Sequence, residues 1–540
     1  MKKGSIKMSV MIKLTALLVV SVFLLFSFAG CSNDDDDQVQ ETVVGADGVE
    51  REFFHFVMYM NYEWFDVSPV WGEDETSAYL MERFNISLEL QRPDTDPDIQ
   101  MNLLIAAGDL PDAMMLDRGS HYFTMAQTGM LYALDDLINA GSNYQRLLSQ
   151  DVRNSAKIND VTYGILNWPT DETSPTGNNG FTLNTRIYEM LGSPSITNLD
   201  ELYAYLLMVQ EQVPTLDGAP IIPINVTFDD IYSLHGGYRG LYSGFGLFRT
   251  DDGLSLVYHD PIFVEAAHFM NRLFNEDLLT RDIFIQTNDQ FLERLATGRV
   301  AAFMGNMAGH IAPSRIRLQE IDPLSDFTII SPPGAPGRDI FLDYFHTIGW
   351  NVLVINDETQ KPDRIFELFD FLFSEEGTVV MYHGPRGHIW EETDAYGFPY
   401  LTIDVNDLSE QERGNLGLFV WSFPGNSIVA NTMGKVMNER MPREEWDWGT
   451  AYQHDIIWPH SMPFTEFFPI VNDITLNDPD DPLSITRGRW QSFNDELIPR
   501  LVMAGSPEEL DGILAQAIDE VMAMGFAAYE EHATELWRSR

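Results

Sequence analysis

Phe53-Phe54-His55-Phe56-Val57-Met58-Tyr59 is a short apolar, aromatic run that gives way to the polar stretch Asn61-Tyr62-Glu63. A run of this kind reads as a buried strand followed by a loop. Ser77-Ala78-Tyr79-Leu80-Met81-Glu82-Arg83-Phe84 follows with helix-forming composition, and Ile86-Ser87-Leu88-Glu89-Leu90 then alternates with the period of two that a strand requires. The order is strand, helix, strand. Met101 to Ala107 forms a second helix closed by Gly108, and Ala113-Met114-Met115-Leu116 supplies another strand. Alternating units of this length predict an α/β fold with a parallel sheet flanked by helices.

The pattern continues downstream. Thr162 to Leu166 reads as a strand, and a helix opens at Asn198 or Leu199 with Asp200 and Glu201 in its first turn and runs to Gln212. Gly236-Gly237-Tyr238 to Gly244-Phe245-Gly246 has no phosphate-binding glycine fingerprint between strand and helix, so it reads as turns. Apolar residues at helical spacing mark 262–279, and Phe291 to Ala296 is a shorter helix closed by Gly298. Val300 to Met304 and Thr347 to Ile355 read as strands, and Pro362 opens a helix through Phe373. Ser506 to Trp537 reads as a capped helix pair or one broken helix, with Gly512 and Gly525 as interruptions. At 540 residues the chain is long enough for two cores, and 44% apolar content is ample to fill them. Two α/β lobes follow.

Charge removes whole classes of partner. Acidic residues number 82 against 33 basic ones, a net charge of −49, and beyond Gly30 the lysines are Lys157, Lys361 and Lys435. Such a chain repels phosphate backbones, which excludes general nucleic-acid binding. The single cysteine, Cys31, excludes disulfide frameworks, thiolate metal clusters and Cys-X-X-Cys redox motifs.

The first thirty residues read as an address. Lys2, Lys3, Lys7 and Lys13 form a cationic head, and Leu14 to Gly30 follows without charge, ending in Phe28-Ala29-Gly30-Cys31. This is the layout of a secretory signal, and its ending resembles a bacterial lipobox in which Cys31 is diacylated and becomes the first mature residue. Removing residues 1–30 takes four lysines and no acids, so 29 basic residues face 82 acidic ones and the net charge becomes −53. Residues 31–50, with the run Asp34 to Asp37, read as an acidic, solvated tether holding the body off the membrane. The expected location is the extracytoplasmic face of the cell membrane.

Several segments together resemble the family 1 extracellular solute-binding proteins, the lipid-anchored receptors of bacterial ABC importers. They are Leu103-Leu104-Ile105-Ala106-Ala107-Gly108-Asp109-Leu110-Pro111-Asp112, Leu131 to Leu137, Asn184 to Gly192 with Ile196 to Leu202, and Gly298 to Phe303. Phe366 to Gly377, continued by Tyr382 to Trp390, resembles the branch that binds large oligosaccharides. The resemblance implies a two-lobe clamp with a ligand cleft between the lobes, no catalytic residue and no cofactor. It also implies a monomer whose partners are an oligosaccharide and an importer permease. By the same resemblance, lobe 1 is 51–167 with 350–400 and lobe 2 is 168–349 with 401–540, with crossings near Trp168 to Phe181 and near Trp350 and a return after Trp390.

Sugar recognition needs flat apolar faces for pyranose C–H groups and short polar groups for hydroxyls. Asn61, Tyr62 and Trp64 follow the first strand, and Asp117 with Arg118 follows a later one, where an α/β lobe presents its ligand edge. Trp168, Trp350, Trp390 and Trp421 lie near the expected crossings, and Asn306 follows the strand ending at Met304. Each tryptophan can equally serve core packing, Trp350 above all, since it reads as lying inside an apolar strand. Arg118, Arg239, Arg315, Arg317 and Arg386 are the guanidinium groups that an acidic sugar would need.

Two rivals stand beside this reading, a peptide receptor of an importer and a cell-envelope glycan hydrolase. The chain has no Gly-X-Ser-X-Gly elbow, no His-Glu-X-X-His and no Walker loop, and 82 carboxylates make a chance glycosidase pair inevitable. No metal ligand is assigned. His383 and His388 lack a third partner in sequence, and Asp94, Asp96 and Asp98 imitate a calcium loop that Pro97, Ile99 and Ile105 spoil. A structural calcium elsewhere in so acidic a chain is left open.

Overall fold

The structure, a computed structural model, describes residues 42–45, 48–171, 179–226, 245–306, 310–334, 343–345, 347–403, 405–440, 458–467, 478 and 480–539. Cys31, the expected signal sequence and Arg239 lie outside them. The chain divides into two compact units, Met1–Phe53 and Phe54–Arg540. In the first, Thr42–Val44 pairs antiparallel with Glu50–Glu52. The expected tether is thus structured at its end, because β-branched Thr42, Val43 and Val44 favour extended backbone and the Gly48 N–H closes a turn on the Gly45 carbonyl.

The second unit is built on two sheets. Their strands are β1 (Phe54–Met60), β2 (Ile86–Gln91), β3 (Ala113–Asp117), β4 (Gly164–Asn167), β5 (Asn179–Asn184), β6 (Ile222–Asn225), β7 (Val300–Asn306), β8 (Phe327–Ile330) and β9 (Asn351–Ile355). The first sheet has the order β2-β1-β3-β9-β4 and the second β6-β7-β5-β8. Helices flank them: α1 (Glu75–Phe84) precedes β2, and Asp74 caps it by accepting from the Ser77 N–H. These are the two α/β lobes.

Both sheets are mixed, where a parallel sheet was expected. β9 runs antiparallel to β3 and β4, and β5 antiparallel to β7 and β8. The cause is connectivity. The chain leaves the first sheet at Asn167, enters the second at Asn179, leaves it at Ile330 and re-enters the first at Asn351. A strand that enters at the edge where its neighbours end must run back against them. All five residues of β9 are buried, so this returning strand is central to the first core.

The passages between lobes are tied to one another. Thr170 N–H donates to the Thr347 carbonyl at 3.0 Å, and Trp168 N–H to the Gly425 carbonyl at 2.9 Å. Gly425 N–H donates to the side-chain oxygen of buried Asn167 at 2.6 Å. Gly349 has φ +63°, and a Cβ there would lie 1.9 Å from the Asn167 carbonyl oxygen.

Beyond residue 400 the chain serves both lobes, where 401–540 was expected in lobe 2 alone. Thr76 donates to the Leu416 carbonyl, the Trp421 indole to Asp74, and Asn426 to the Phe373 carbonyl, so 410–438 packs on the first lobe. The last helices, Pro482–Val502, Pro507–Ala523 and Phe526–Arg538, pack on the second, where Asn271 donates to the carbonyls of Leu501, Val502 and Ala504. Gly525, at φ +94°, separates the last two. Gly512 lies within its helix and interrupts nothing, since one exposed glycine costs only about 1 kcal/mol.

Gly349→Ala is expected to lose about 2 kcal/mol or more of stability in denaturant unfolding, combining left-handed strain with a backbone clash. Gly397→Ala, with φ +86° and nothing within 4 Å of a new Cβ, incurs the strain alone, about 1 kcal/mol. Equal losses at the two positions would contradict the packing argument.

Candidate ligand-binding site

The C-terminal ends of β1, β3 and β4 and the start of β9 share one sheet edge, fixed by the register of Asn351 opposite both Asp117 and Asn167. Open α/β sheets bind ligands at such an edge. After β1, Asn61 N–H donates to the Met115 carbonyl at 2.9 Å and Tyr62 N–H to the Met60 carbonyl at 2.7 Å, which folds the chain back over the edge. Arg92 holds this loop by donating to the carbonyls of Glu63 and Phe65, at 2.7 and 2.9 Å.

Three rings meet there. The Tyr62 ring centroid lies 5.2 Å from Trp64 and 5.1 Å from Trp350, and the two indoles are 6.0 Å apart. Tyr62 is buried, whereas Trp64 and Trp350 are 59% and 42% exposed. The result is an open aromatic surface backed by a buried ring. Trp350 precedes β9 and does not lie inside it, so its side chain stands at the edge and not in the core.

A polar network runs beneath the rings. Tyr62 Oη donates to Asp117 Oδ1 at 2.7 Å and accepts from Asn351 Nδ2 at 3.1 Å. Burial, followed by the negative charge of Asp117, pushes the tyrosine far above its ordinary range, so it stays protonated and remains a donor. Asp117 is open to solvent on one side, yet the protein around it raises its carboxyl, while Tyr62 and Arg118 pull the other way. Arg118 Nη2 donates to the Gly349 carbonyl at 2.7 Å. The Oδ1 atoms of Asn351 and Asn61 are buried without a hydrogen-bond partner.

The expected site residues separate into three groups. Asn61, Tyr62, Trp64, Asp117, Arg118 and Trp350 come together at this edge. Trp168 lies just past it, with φ +56° and its ring stacked on Phe419 at 5.8 Å. Asn306 ends β7 opposite Asn179, on the edge of the second sheet from which the crossings depart.

Trp421, Trp390 and Arg386 do not join the edge. Trp421 is 1% exposed, its indole N–H bonded to Asp74 Oδ2 at 2.9 Å and its ring 4.9 Å from Trp71, so it is a core residue. Trp390 is buried with its N–H on the Gly384 carbonyl, among Val379, Phe398 and Met433. Arg386 sits on an exposed turn, 3.8 Å from Glu391. Asn351, Asn167, Phe65 and Arg92 are further residues at or beside this edge that sequence reasoning missed. For Asn351, the available signal was an amide opening a wholly apolar strand.

Among the described residues no group of three His, Cys, Asp or Glu could hold a metal ion. Asp96, in the calcium-like run, accepts from the N–H groups of Asp98 and Ile99 and caps the helix Pro97–Ala107. His388 stands 3.6 Å from Glu75.

No protein-family model and no curated protein matches the chain. Solved structures do. A Streptococcus pneumoniae ABC-transporter substrate-binding protein, FusA in complex with kestose, matches with TM-score 0.69 at 14% identity, over 90% of this chain and 99% of that one. An HMO-binding, ABC-transporter-associated solute-binding protein from Bifidobacterium longum infantis matches with TM-score 0.64 at 13% identity, over 90% and 98%. The alginate-binding protein AlgQ2 matches with TM-score 0.64 at 15% identity, over 90% and 98%.

The fold is that of the ABC-transporter solute-binding proteins. Within this solute-binding fold the aromatic edge and the core tryptophans have separable roles. In denaturant unfolding Trp421→Ala is expected to lose about 3 to 5 kcal/mol, as a buried aromatic does, whereas Trp350→Ala loses less than about 1.5 kcal/mol. Comparable losses would mean that Trp350 is a packing residue after all.

Proposed function

We propose that this protein is an extracellular receptor that captures an oligosaccharide between its two lobes and delivers it to an ABC-importer permease, without catalysis. The observation that carries the reading is the pair of exposed indoles, Trp64 and Trp350, beside the Tyr62–Asp117–Asn351 network, whose Asp117 faces solvent. Indole faces cover pyranose C–H groups, and fixed carboxylate and carboxamide groups suit hydroxyls. The cargoes named for proteins of this fold support it, among them kestose, alginate and cycloalternan.

A ligand that touches both lobes favours the closed state by its differential contacts, and closure is the signal a permease can read. The two sheet edges from which the crossings depart are the surfaces that such a ligand would bridge. Lipid on Cys31 would anchor the receptor to the outer face of the membrane, with the mature protein acting as a monomer. No calcium is assigned a role.

A ligand that binds only the folded state stabilises it by about 2.7 kcal/mol at a hundred times its Kd. Thermal unfolding against neutral and acidic oligosaccharides at millimolar concentration is therefore expected to reveal at least one glycan that raises Tm by several degrees. Trp64→Ala and Trp350→Ala should weaken that glycan at least about tenfold. Shifts with peptides and none with glycans would favour the peptide receptor, and product formation would favour the hydrolase.

The anchor has its own test. Cys31→Ser in cells is expected to abolish metabolic labelling by palmitate and move the protein out of the membrane fraction. Unchanged labelling would refute acylation at Cys31.

A further inference from the structure

The hydrogen-bonding character of the site narrows the class of glycan. The Tyr62 proton is committed to Asp117, so the phenol oxygen must accept, and the group facing it on Asn351 must be the amide N–H. That fixes the orientation of Asn351, a residue 0% exposed, and leaves its carbonyl oxygen as a buried acceptor with no partner. Asn61 Oδ1 is a second such acceptor, and Asp117 Oδ2 a third oxygen without a proton when ionised. Beneath the rings, this edge asks for donors.

Among the described residues, the guanidinium groups at both edges already donate to partners within the protein. Arg118 donates to the Gly349 carbonyl and Arg92 to the carbonyls of Glu63 and Phe65. At the second sheet, where β6 ends at Asn225, Asn225 Nδ2 and Arg294 both donate to Gln286 Oε1, and Arg294 is paired with Asp282 at 2.5 Å. That pairing holds Asp282 at about 2, so the two charges offset each other at neutral pH. His310, beyond β7, is pushed down to about 4 by burial, and burial also lowers His460, which bonds Ser331 Oγ just past β8. Both imidazoles are favoured in the neutral form. The field of a chain with net charge −49 adds to the disadvantage of an anion.

We infer that the site takes uncharged oligosaccharides and turns away uronic ones, with Asp117 as the residue that sets this preference. The inference rests on the reading of the protein as a glycan receptor. A neutral sugar brings hydroxyl donors to Asp117, the exposed acceptor of the network. A uronate brings a second carboxylate to a place that already holds one, where, among the described residues, the guanidinium groups of Arg118 and Arg92 already donate to backbone carbonyls.

The test is titration calorimetry with neutral tri- to pentasaccharides of fructo-, malto- and xylo-type and with oligogalacturonates and oligoalginates of the same lengths, against the wild type, Asp117→Asn and Asp117→Glu. The best neutral ligand is expected to bind the wild type at least tenfold more tightly than any uronate. Asp117→Asn should narrow that gap at least threefold, and Asp117→Glu should keep it. A uronate that binds as well as or better than every neutral glycan overturns the inference, as does an unchanged gap in a cooperatively melting Asp117→Asn. If that variant does not fold, the wild-type gap decides alone. If no glycan binds and peptides do, the receptor reading fails first and takes this inference with it.

Discussion

At Asn167 three separate passages of the chain come within bonding distance of one another. Its side-chain oxygen accepts from Gly425, its neighbour Trp168 donates to the Gly425 carbonyl, and its own carbonyl abuts Gly349 so closely that a methyl group would overlap it. Glycine is required at 349 twice over, by φ +63° and by this approach, and Gly425 would otherwise drive a Cβ to within 2.1 Å of the Trp168 ring. The passages between the two sheets are held together at this point by these contacts. The mixed sheet order, the central position of β9 and the shared ligand edge all follow from where those passages enter.

The network beside this junction is a polar structure in an aromatic setting, buried except at Asp117, and such networks stabilise one arrangement only when their members are satisfied. Tyr62 meets that condition with one donated and one accepted bond, and its raised ionisation range keeps the proton in place. Asn351 and Asn61 do not meet it in full. A buried carbonyl oxygen left without a donor carries a desolvation cost of about 1 to 3 kcal/mol, which an incoming hydroxyl or water can relieve. The same groups that position the aromatic ring therefore leave two buried acceptors at this edge.

The strand–helix–strand alternation of the first lobe was legible from Phe53 to Leu116 because apolar period and helix caps are local signals, and Gly108 and Ser506 cap where the pattern puts them. The antiparallel entry of β9 was not legible, since it depends on a crossing from another sheet. Of the site, Tyr62, Trp64 and Asp117 could be read from loops that follow strands. Trp421 and Trp390 could not be told from ligand platforms, because only packing reveals that Asp74 and the Gly384 carbonyl already hold their indole N–H groups. Trp350 misled in the opposite direction: the apolar run Thr347 to Ile355 continues through it, but backbone at Gly349 turns before the strand begins.

Trp350 and Gly349 are adjacent, and this joins the aromatic edge to the crossing. The Gly349 carbonyl is held by Arg118, which follows Asp117 on β3, while its Cα rests against Asn167 at the end of β4. A shift in the backbone of this passage therefore moves the Trp350 ring relative to Tyr62 and alters the bond to Arg118 at the same time. Conversely, any group that fixes the Trp350 ring against Trp64 restricts the backbone at the passage through which the lobes are connected. The coupling has the sign a clamp requires: an occupant that contacts the aromatic edge in one arrangement of the passage and not in another shifts the population toward the first, by no more than the difference in its contact free energies.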